Sequence, residues 1–184
     1  SDKKLKILIL GGSQAARIFA EKLTEIFKDC HEAKIPLKIY QQCLPEQNKF
    51  LTSFYENLNI DFEIFNFTNN ILDYFSKINL AITRSGSSML AELINVKIPF
   101  IAVPLPSSAD DHQLKNAIYY EKNGYSYLIE EKHLNKKLFQ LIKKISEDTS
   151  LLSQIISQQR QYSDKSVYKN IDKEINKIIN NEEH

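Results

Sequence analysis

Short apolar segments alternate with segments of helical periodicity along most of this chain, and this alternation most constrains its fold. Apolar residues predict six strands, at residues 6–10, 37–40, 60–64, 80–83, 99–104 and 126–129. After the first strand, Ala16, Phe19, Leu23, Ile26 and Phe27 recur at the spacing of one helix face. Repeated strand–helix units predict an α/β fold, a parallel sheet of about six strands with helices on both faces.

The remaining periodic segments predict further helices. They lie at residues 50–58, 70–77, 89–94, 111–124, 133–145, 151–159 and 167–179. The third strand alternates apolar and acidic residues, so one of its faces should be more exposed, near a sheet edge. The last two helices are polar and extend beyond the predicted sheet. We therefore expect a domain at residues 1–165 and a C-terminal helix at 166–184 that packs on it or reaches towards another domain.

The composition limits the classes of protein that fit. A chain of 184 residues with 42% apolar content can bury one good core. The 24 basic and 23 acidic residues give a net charge of +1, so no basic excess indicates a nucleic-acid partner. No apolar run approaches the ~18 residues of a membrane-spanning helix. Cys30 and Cys43 have neither disulfide-framework nor metal-ligand spacing, so we expect buried or idle reduced thiols. Reduced thiols fit the cytosol best.

Four predicted loops follow strands and should therefore share one rim of the sheet. These loops are residues 11–14, 66–68, 84–88 and 105–113. Ligands of open parallel sheets bind at the carboxyl ends of the strands, near a switch point in strand order. The sequence therefore predicts a ligand site built from these four loops.

The most informative motif runs from Thr83 to Glu92, where a small polar turn joins a strand to a helix. The turn residues are Arg84, Ser85, Gly86, Ser87 and Ser88. Such a turn exposes backbone N–H groups at a helix N-terminus, where phosphate binds well. Glu92, a turn further on, can accept hydrogen bonds from ribose hydroxyls, although a lone helix carboxylate is more often a surface residue. The motif as a whole indicates a nucleotide site.

The loop after the first strand, Gly11-Gly12-Ser13-Gln14-Ala15-Ala16, lies where a dinucleotide fingerprint would. It matches neither Gly-x-Gly-x-x-Gly nor the Walker A pattern. Its glycines allow a tight turn, and Ser13 can cap the following helix. Two interpretations stay open, a purely structural turn and a loop that contacts phosphate or sugar.

The segment from Asp110 to Asn116 opens a helix, with Asp110 or Asp111 as its start. His112 has three interpretations, a base, a ligand or a surface residue. No second histidine stands at metal-ligand spacing, so no metal site is predicted. Gln113 and Asn116 lie three residues apart on one helix face, so both can form hydrogen bonds with one polar ligand. A polar helix start that only caps itself is the alternative.

Taken together, these motifs resemble the C-terminal half of a GT-B glycosyltransferase, in particular the MurG-like family that forms bacterial lipid II. The matching segments are residues 9–17, 82–86, 91–92, 99–104, 111–113 and 116–117. They occur in the family's order over nearly the whole chain. The resemblance implies a Rossmann-like domain, one half of a GT-B fold, that binds UDP-N-acetylglucosamine. Ala15 is a departure, because the family usually has glycine there, and its methyl group would narrow the turn near the diphosphate.

The resemblance also implies roles for individual residues. The implied nucleotide contacts are Thr68 for uracil, Glu92 for ribose, and Ser87, Ser88 and Met89 for the diphosphate, with Arg84, Ser85 and Gly86 in the same loop. The implied contacts near the diphosphate and sugar are Ser13 and Gln14. The implied contacts to the sugar hydroxyls are His112 and Gln113, with Asn116 supporting that helix start.

The implied reaction is inverting transfer of N-acetylglucosamine from UDP-N-acetylglucosamine to the 4-hydroxyl of the muramoyl sugar of lipid I. Fixed backbone dipoles would stabilise the leaving diphosphate, so neither a metal nor another cofactor is implied. The family's acceptor half, which holds the lipid and contacts the inner face of the cell membrane, has no counterpart in these residues. The general base is expected in that half or at the cleft.

Three alternatives to a donor half stay open. The chain could be a separate UDP-N-acetylglucosamine-binding subunit, activated by an acceptor chain as in the two-subunit transferase of the dolichol pathway. It could also be a different GT-B enzyme, such as a UDP-N-acetylglucosamine 2-epimerase, although those proteins usually need both domains and more cleft carboxylates and histidines. An α/β module that binds no nucleotide is the residual alternative.

Overall fold

The computed structural model describes residues 3–68 and 70–162, apart from the side chain of Ser13. Its strands are β1 (Leu5–Leu10), β2 (Leu37–Gln42), β3 (Asp61–Phe65), β4 (Leu80–Thr83), β5 (Phe100–Ala102) and β6 (Tyr127–Leu128). They form one sheet in the order β3-β2-β1-β4-β5-β6, and every neighbouring pair is parallel. The predicted parallel, Rossmann-like sheet of about six strands is therefore confirmed.

Helices connect these strands and follow the last of them. They are α1 (Ser13–Glu32), α2 (Asn48–Asn57), α3 (Ile71–Phe75), α4 (Ser87–Asn95), α5 (His112–Lys122), α6 (Leu134–Glu147) and α7 (150–162). Each helix predicted before residue 160 has a counterpart, with ends displaced by a few residues. The predicted helix at 167–179 and the predicted boundary after residue 165 lie outside the described residues. None of the described helices is long and apolar enough to cross a bilayer.

The helices cover both faces of the sheet, as predicted. On one face, Ile7 and Ile9 of β1 belong to a core with side chains of α1, α2 and α6. On the other face, Leu8 and Leu10 belong to a core with side chains of α3, α4 and α5. Successive residues of a strand point to opposite faces, so a strand covered on both sides needs apolar residues throughout. This explains the continuous apolar run in the sequence of β1.

The strand order places a switch point beside β1. The chain passes outward through β2 to β3 on one side, and through β4 and β5 to β6 on the other. Residues of the edge strand β3 are all exposed or half-buried, which confirms the prediction of an edge position. Leu10, at the end of β1, lies beside Thr83, at the end of β4. The loops that follow these two strands diverge, and a cleft opens between them.

Candidate functional site

Two adjoining cavities at the carboxyl ends of the strands form what we call the cleft. The main cavity, of about 390 Å³, is lined by Leu10, Gly11, Gly12, Gln42, Phe67, Thr68, Ile71, Thr83, Arg84, Gly86, Met89 and Gln113. The second, of about 320 Å³, is lined by Gly12, Gln14, Ala15, Arg84, Leu105 and Gln113. All four loops predicted to share the rim contribute to the cleft. A cavity of about 430 Å³ at the opposite end of the strands contains none of the predicted site residues.

The loop after β1 brings the N-terminus of α1 to the cleft. Gly11 approaches α1 so closely that a Cβ atom on it would lie 2.5 Å from Cβ of Ala15. Gly12 takes the N-cap position, and its carbonyl accepts a hydrogen bond from the N–H of Ala16 at 2.9 Å. Ser13 is already the first helical residue, so the expectation that it caps α1 is wrong. No described side chain caps this helix end, and its first turn holds no acidic residue.

The helix α4 begins at the same cleft, one strand along the sheet. Gly86 takes its N-cap position and accepts a hydrogen bond from the N–H of Leu90 at 3.1 Å. Here too no described side chain caps the helix, and the first turn is free of acidic residues. The first N–H groups of an α-helix have no partner within the helix. The cleft therefore lies at two helix N-termini whose donors and dipoles favour an anion.

Two side chains of α5 hold the loop after β4 in place. Oε1 of Gln113 accepts hydrogen bonds from the N–H groups of Ser85, at 3.1 Å, and Leu105, at 2.9 Å. Nδ2 of Asn116 donates to the carbonyl of Ser85 at 3.1 Å. The two side chains share one helix face, as predicted, and on that face they bind backbone groups of neighbouring loops. They thereby fix the residue that precedes the N-cap of α4.

Among the described residues that line the cleft, Arg84 alone carries a charge. Its side chain is only 10% exposed, and Nη2 lies 2.7 Å from Oε2 of Glu131. Nη1 donates to the carbonyls of Val103, at 3.4 Å, and Pro104, at 3.3 Å. The guanidinium also lies over the ring of Phe19, 5.2 Å from its centre. The positive charge is thus neutralised inside the protein.

One wall of the cleft is apolar and suits the flat face of a nucleobase. Its side chains are those of Leu10, Phe67, Ile71 and Met89. Phe67 is 78% exposed, although an aromatic ring of this size is normally buried. The neighbouring Thr68 accepts a hydrogen bond from the N–H of Asn70 through Oγ1, at 3.0 Å. The ring of Phe67 thus lines the cleft while most of its surface stays exposed.

The predicted site residues fall into three groups. Those that line the cleft are Gln14, Thr68, Arg84, Gly86, Met89 and Gln113. Those beneath the loops are Ser85, which is buried, and Asn116, which is half-buried. Those that are exposed and line neither cavity are Ser87, Ser88, Glu92 and His112. Ligand contacts by all of these residues, and by Ser13, stay predictions.

The start of α5 differs from the prediction. Asp110 and Asp111 have φ values of 49° and 54°, in the left-handed region, so the helix begins at His112. The side chain of Asp111 makes no capping bond, although the residue occupies the N-cap position. The imidazole of His112 is 70% exposed, with Nε2 at 4.0 Å from Oδ2 of Asp110. Among the described residues, this histidine has no buried partner that would mark it as a base.

Sequence reasoning missed two polar residues at the rim. Gln42 ends β2, and its Oε1 accepts a hydrogen bond from the N–H of Gly11 at 3.2 Å, while Nε2 donates to the carbonyl of Asn66 at 3.4 Å. Glu131 follows β6 and meets Arg84. Their position just after predicted strands was the signal that could have found them.

The remaining reactive side chains of residues 3–68 and 70–162 form no second reactive centre. Both cysteines are buried and reduced. Burial, with a smaller contribution from Asp29, raises the pKa of Cys30 to about 12, and burial also raises the pKa of Cys43. Such thiols are poor nucleophiles. The described residues contain no group of three or more His, Cys, Asp or Glu side chains placed to hold a metal ion.

The fold and the cleft define a class of protein, a Rossmann-like α/β domain with two helix N-termini at a cleft beside its switch point. Residues 6–177 match the glycosyltransferase family 28 C-terminal domain, and the chain belongs to that family. A crystal structure of MurG from Acinetobacter baumannii superimposes with a TM-score of 0.75 at 26% identity. The alignment covers 88% of this chain and 46% of that one. The expected likeness to half of a GT-B glycosyltransferase is therefore confirmed.

Curated relatives agree with this assignment. The UDP-N-acetylglucosamine--N-acetylmuramyl-(pentapeptide) pyrophosphoryl-undecaprenol N-acetylglucosamine transferase of Pelagibacter ubique is 38% identical over 133 residues, which is 72% of this chain and 37% of the relative. The protein of the same name from Rickettsia bellii is 38% identical over 159 residues, or 81% of this chain and 44% of the relative. The chain thus spans less than half the length of the relatives it matches.

Proposed function

We propose that this chain is the donor-binding domain of an inverting glycosyltransferase that moves N-acetylglucosamine from UDP-N-acetylglucosamine to the muramoyl sugar of lipid I. The product is lipid II, the precursor of peptidoglycan. One observation carries the proposal: two helix N-termini without side-chain caps, those of α1 and α4, lie at one cleft at the switch point. Family membership and the curated relatives support the choice of sugar nucleotide.

The diphosphate would lie between the two helix starts. Gly12 and Gly86 have no side chain to shield the neighbouring backbone, and a Cβ atom on either would meet nothing within 4 Å. The N–H groups and helix dipoles there would stabilise the charge that develops as UDP leaves. This arrangement contributes most in the transition state, because the leaving diphosphate gains negative charge when the glycosidic bond breaks.

The apolar wall would take the uracil. Phe67 at the mouth of the cleft can stack on the uracil base, and the neighbouring backbone groups of Thr68 can form hydrogen bonds with the edge of that base. Glu92 would accept hydrogen bonds from the ribose hydroxyls. The second cavity, which Gln14 and Gln113 line, would hold the N-acetylglucosamine, with His112 at its outer side.

The acceptor side of the reaction requires groups beyond this cleft. We propose that lipid I is held by a separate acceptor domain, which also contacts the inner membrane surface, so that the full enzyme works at the cytoplasmic face. The described cleft presents no carboxylate or histidine beside the two helix starts, so the general base would come from that domain or from where the two meet. The chain alone should therefore be inactive.

Calorimetry with UDP, UDP-N-acetylglucosamine, ADP and uridine tests the donor proposal directly. We expect binding of both uracil nucleotides, in EDTA as well as in Mg²⁺, with weaker binding of uridine and ADP. Failure to bind UDP would refute the donor proposal, and heat that appears only with a divalent cation would refute the metal-free cradle.

A transfer assay with a lipid I analogue tests the proposal of a separate acceptor domain. Radiolabelled sugar should reach the acceptor only when a MurG acceptor domain is supplied with the chain. Turnover by the chain alone would show that it holds both substrates.

A further inference from the structure

Although Arg84 lines the cleft, its guanidinium nitrogens are turned into the protein. Its Nε and Nη2 atoms are buried and donate to no aligned acceptor among the described residues, and Nη1 donates to the carbonyls of Val103 and Pro104 after β5. A phosphate in the cleft therefore cannot reach Nε or Nη2 in this conformation. The residue next to it, Ser85, leads directly into the N-cap of α4.

Glu131 is the counter-charge that keeps Arg84 there. It begins the 3₁₀ turn Glu131–His133 after β6, and its side chain is only 14% exposed. Oε2 lies 2.7 Å from Nη2 of Arg84, off the axis of the N–H, while Oε1 lies 3.9 Å from Nζ of Lys22 on α1. This carboxylate therefore joins the turn after β6 to the loop after β4 and to α1. The loop after β4 leads into α4, and the N-termini of α1 and α4 form the proposed anion site.

We propose that Glu131 is a positioning residue for the diphosphate, acting through Arg84 on the backbone of Ser85 and Gly86. The inference rests on the proposed function. A buried arginine that loses its carboxylate is left as an uncompensated charge, and it must move towards water or another acceptor. The accessible space beside it is the cleft. Movement of Arg84 would pull the loop away from the geometry in which its N–H groups meet a diphosphate.

Direct phosphate binding by Arg84 makes the opposite prediction. If the guanidinium contacted phosphate, removal of the Glu131 charge would leave Arg84 freer and more attractive to an anion, and UDP would bind at least as tightly. Lysine at position 84 would also preserve much of the affinity, since it keeps the charge. If Arg84 acts through the loop, lysine fails, because one ammonium cannot bind Val103, Pro104 and Glu131 with the geometry of a planar guanidinium.

The experiment compares Glu131→Gln and Arg84→Lys with the matched control Glu130→Gln. Glu130 is the adjacent residue and pairs with Lys132 on the surface at 3.1 Å, so its change removes the same charge without touching Arg84. We expect Glu131→Gln and Arg84→Lys to weaken UDP binding about tenfold, equivalent to ~1.4 kcal/mol, and uridine binding less than about twofold. Amide hydrogen exchange at Ser85 and Gly86 in the ligand-free protein should accelerate in both variants and stay unchanged in the control.

Each outcome has one meaning. Unchanged exchange at Ser85 and Gly86 in Glu131→Gln would refute the coupling, whether or not the protein binds UDP. Faster exchange in Glu131→Gln, together with a wild-type protein that binds no UDP, would support the coupling and refute the proposed function instead. A lower urea midpoint with unaltered affinity of the folded protein for UDP would show that Glu131 serves stability alone. If Arg84→Lys does not fold, Glu131→Asp is the replacement variant, because it keeps the charge but shortens the side chain. We expect Glu131→Asp to lose UDP affinity as well.

Discussion

Replacing Gly11 by alanine tests how the first helix start is held at the cleft. The new Cβ would lie 2.5 Å from Cβ of Ala15, 3.1 Å from the nitrogen of Ala16 and 3.2 Å from the carbonyl carbon of Ala15. Two of these neighbours are helix backbone, so a rotamer change cannot relieve the overlap, and the first turn of α1 must shift. Overpacking of this kind costs about 1–3 kcal/mol.

The predicted loss of stability is large enough to measure by thermal unfolding. In a domain of this size, 1 kcal/mol corresponds to a change of about 2–4 °C in Tm, so Gly11→Ala should lower Tm by roughly 2–12 °C. UDP affinity should fall as well, because the displaced N–H groups belong to the proposed diphosphate site. For stability alone, Gly12→Ala is the matched control, since a Cβ there meets nothing within 4 Å and φ is −64°. It should cost less than about 1 kcal/mol, through the lower N-cap preference of alanine relative to glycine.

A double-mutant cycle separates the overlap with Ala15 from other effects of the substitution. Ala15→Gly alone should destabilise by about 1 kcal/mol through helix propensity. Ala15→Gly also removes the Cβ atom nearest to the new methyl group. Gly11→Ala should therefore destabilise the Ala15→Gly protein by about 0.5 kcal/mol less than it destabilises the wild type, or by a still smaller amount. Additive losses, or a Tm for Gly11→Ala equal to that of Gly12→Ala, would refute the argument that this contact requires glycine.

Three further perturbations test other parts of the structure. Gln113→Leu should destabilise the protein by about 1–3 kcal/mol in urea unfolding, because the N–H groups of Ser85 and Leu105 lose their acceptor; an unchanged midpoint would show that water replaces it. Glu92→Gln should weaken UDP binding by about 1–3 kcal/mol without changing Tm, since the side chain is exposed, and equal affinity by calorimetry would refute the ribose contact. Burial raises the pKa of Cys30 from 9.0 to about 12. Above about pH 9 the unfolded state therefore releases a proton that the folded state keeps, so the free energy of unfolding should decline as pH rises above about 9. The decline should be smaller in Cys30→Ala, and parallel urea midpoints for the two proteins from pH 8 to 10 would contradict it.

The sheet and its rim could be predicted because they depend on local patterns. Strands buried on both faces need continuous apolar runs, such as that of β1, and parallel strands place their following loops at one edge. The prediction of a cleft from four loops required nothing beyond these two rules. The edge position of β3 was equally visible, because its acidic residues cannot be buried without partners.

The contacts beneath the loops could not be predicted in this way. Gln113 meets Ser85 across 28 residues, and Gln42 meets Gly11 across 31 residues. Nothing in the neighbourhood of either glutamine indicates its partner. The start of α1 was placed one residue too late, because glycine and serine both suit an N-cap and the sequence does not show that Gly12 occupies it.

The polar side chains at this cleft mainly form hydrogen bonds with the backbone of the surrounding loops. Gln42, Gln113, Asn116 and Arg84 each bind loop N–H or carbonyl groups, and the charge of Arg84 is balanced by Glu131. An anion would therefore meet backbone donors already held in place, which need not reorganise as a diphosphate gains charge. A mobile arginine or lysine would bind UDP before and after the reaction equally well and so would slow its release, whereas fixed dipoles favour the geometry of the transition state. By this argument the backbone donors of the proposed site depend on the polar side chains that hold the loops, some of which line the cleft while Asn116 lies beneath it.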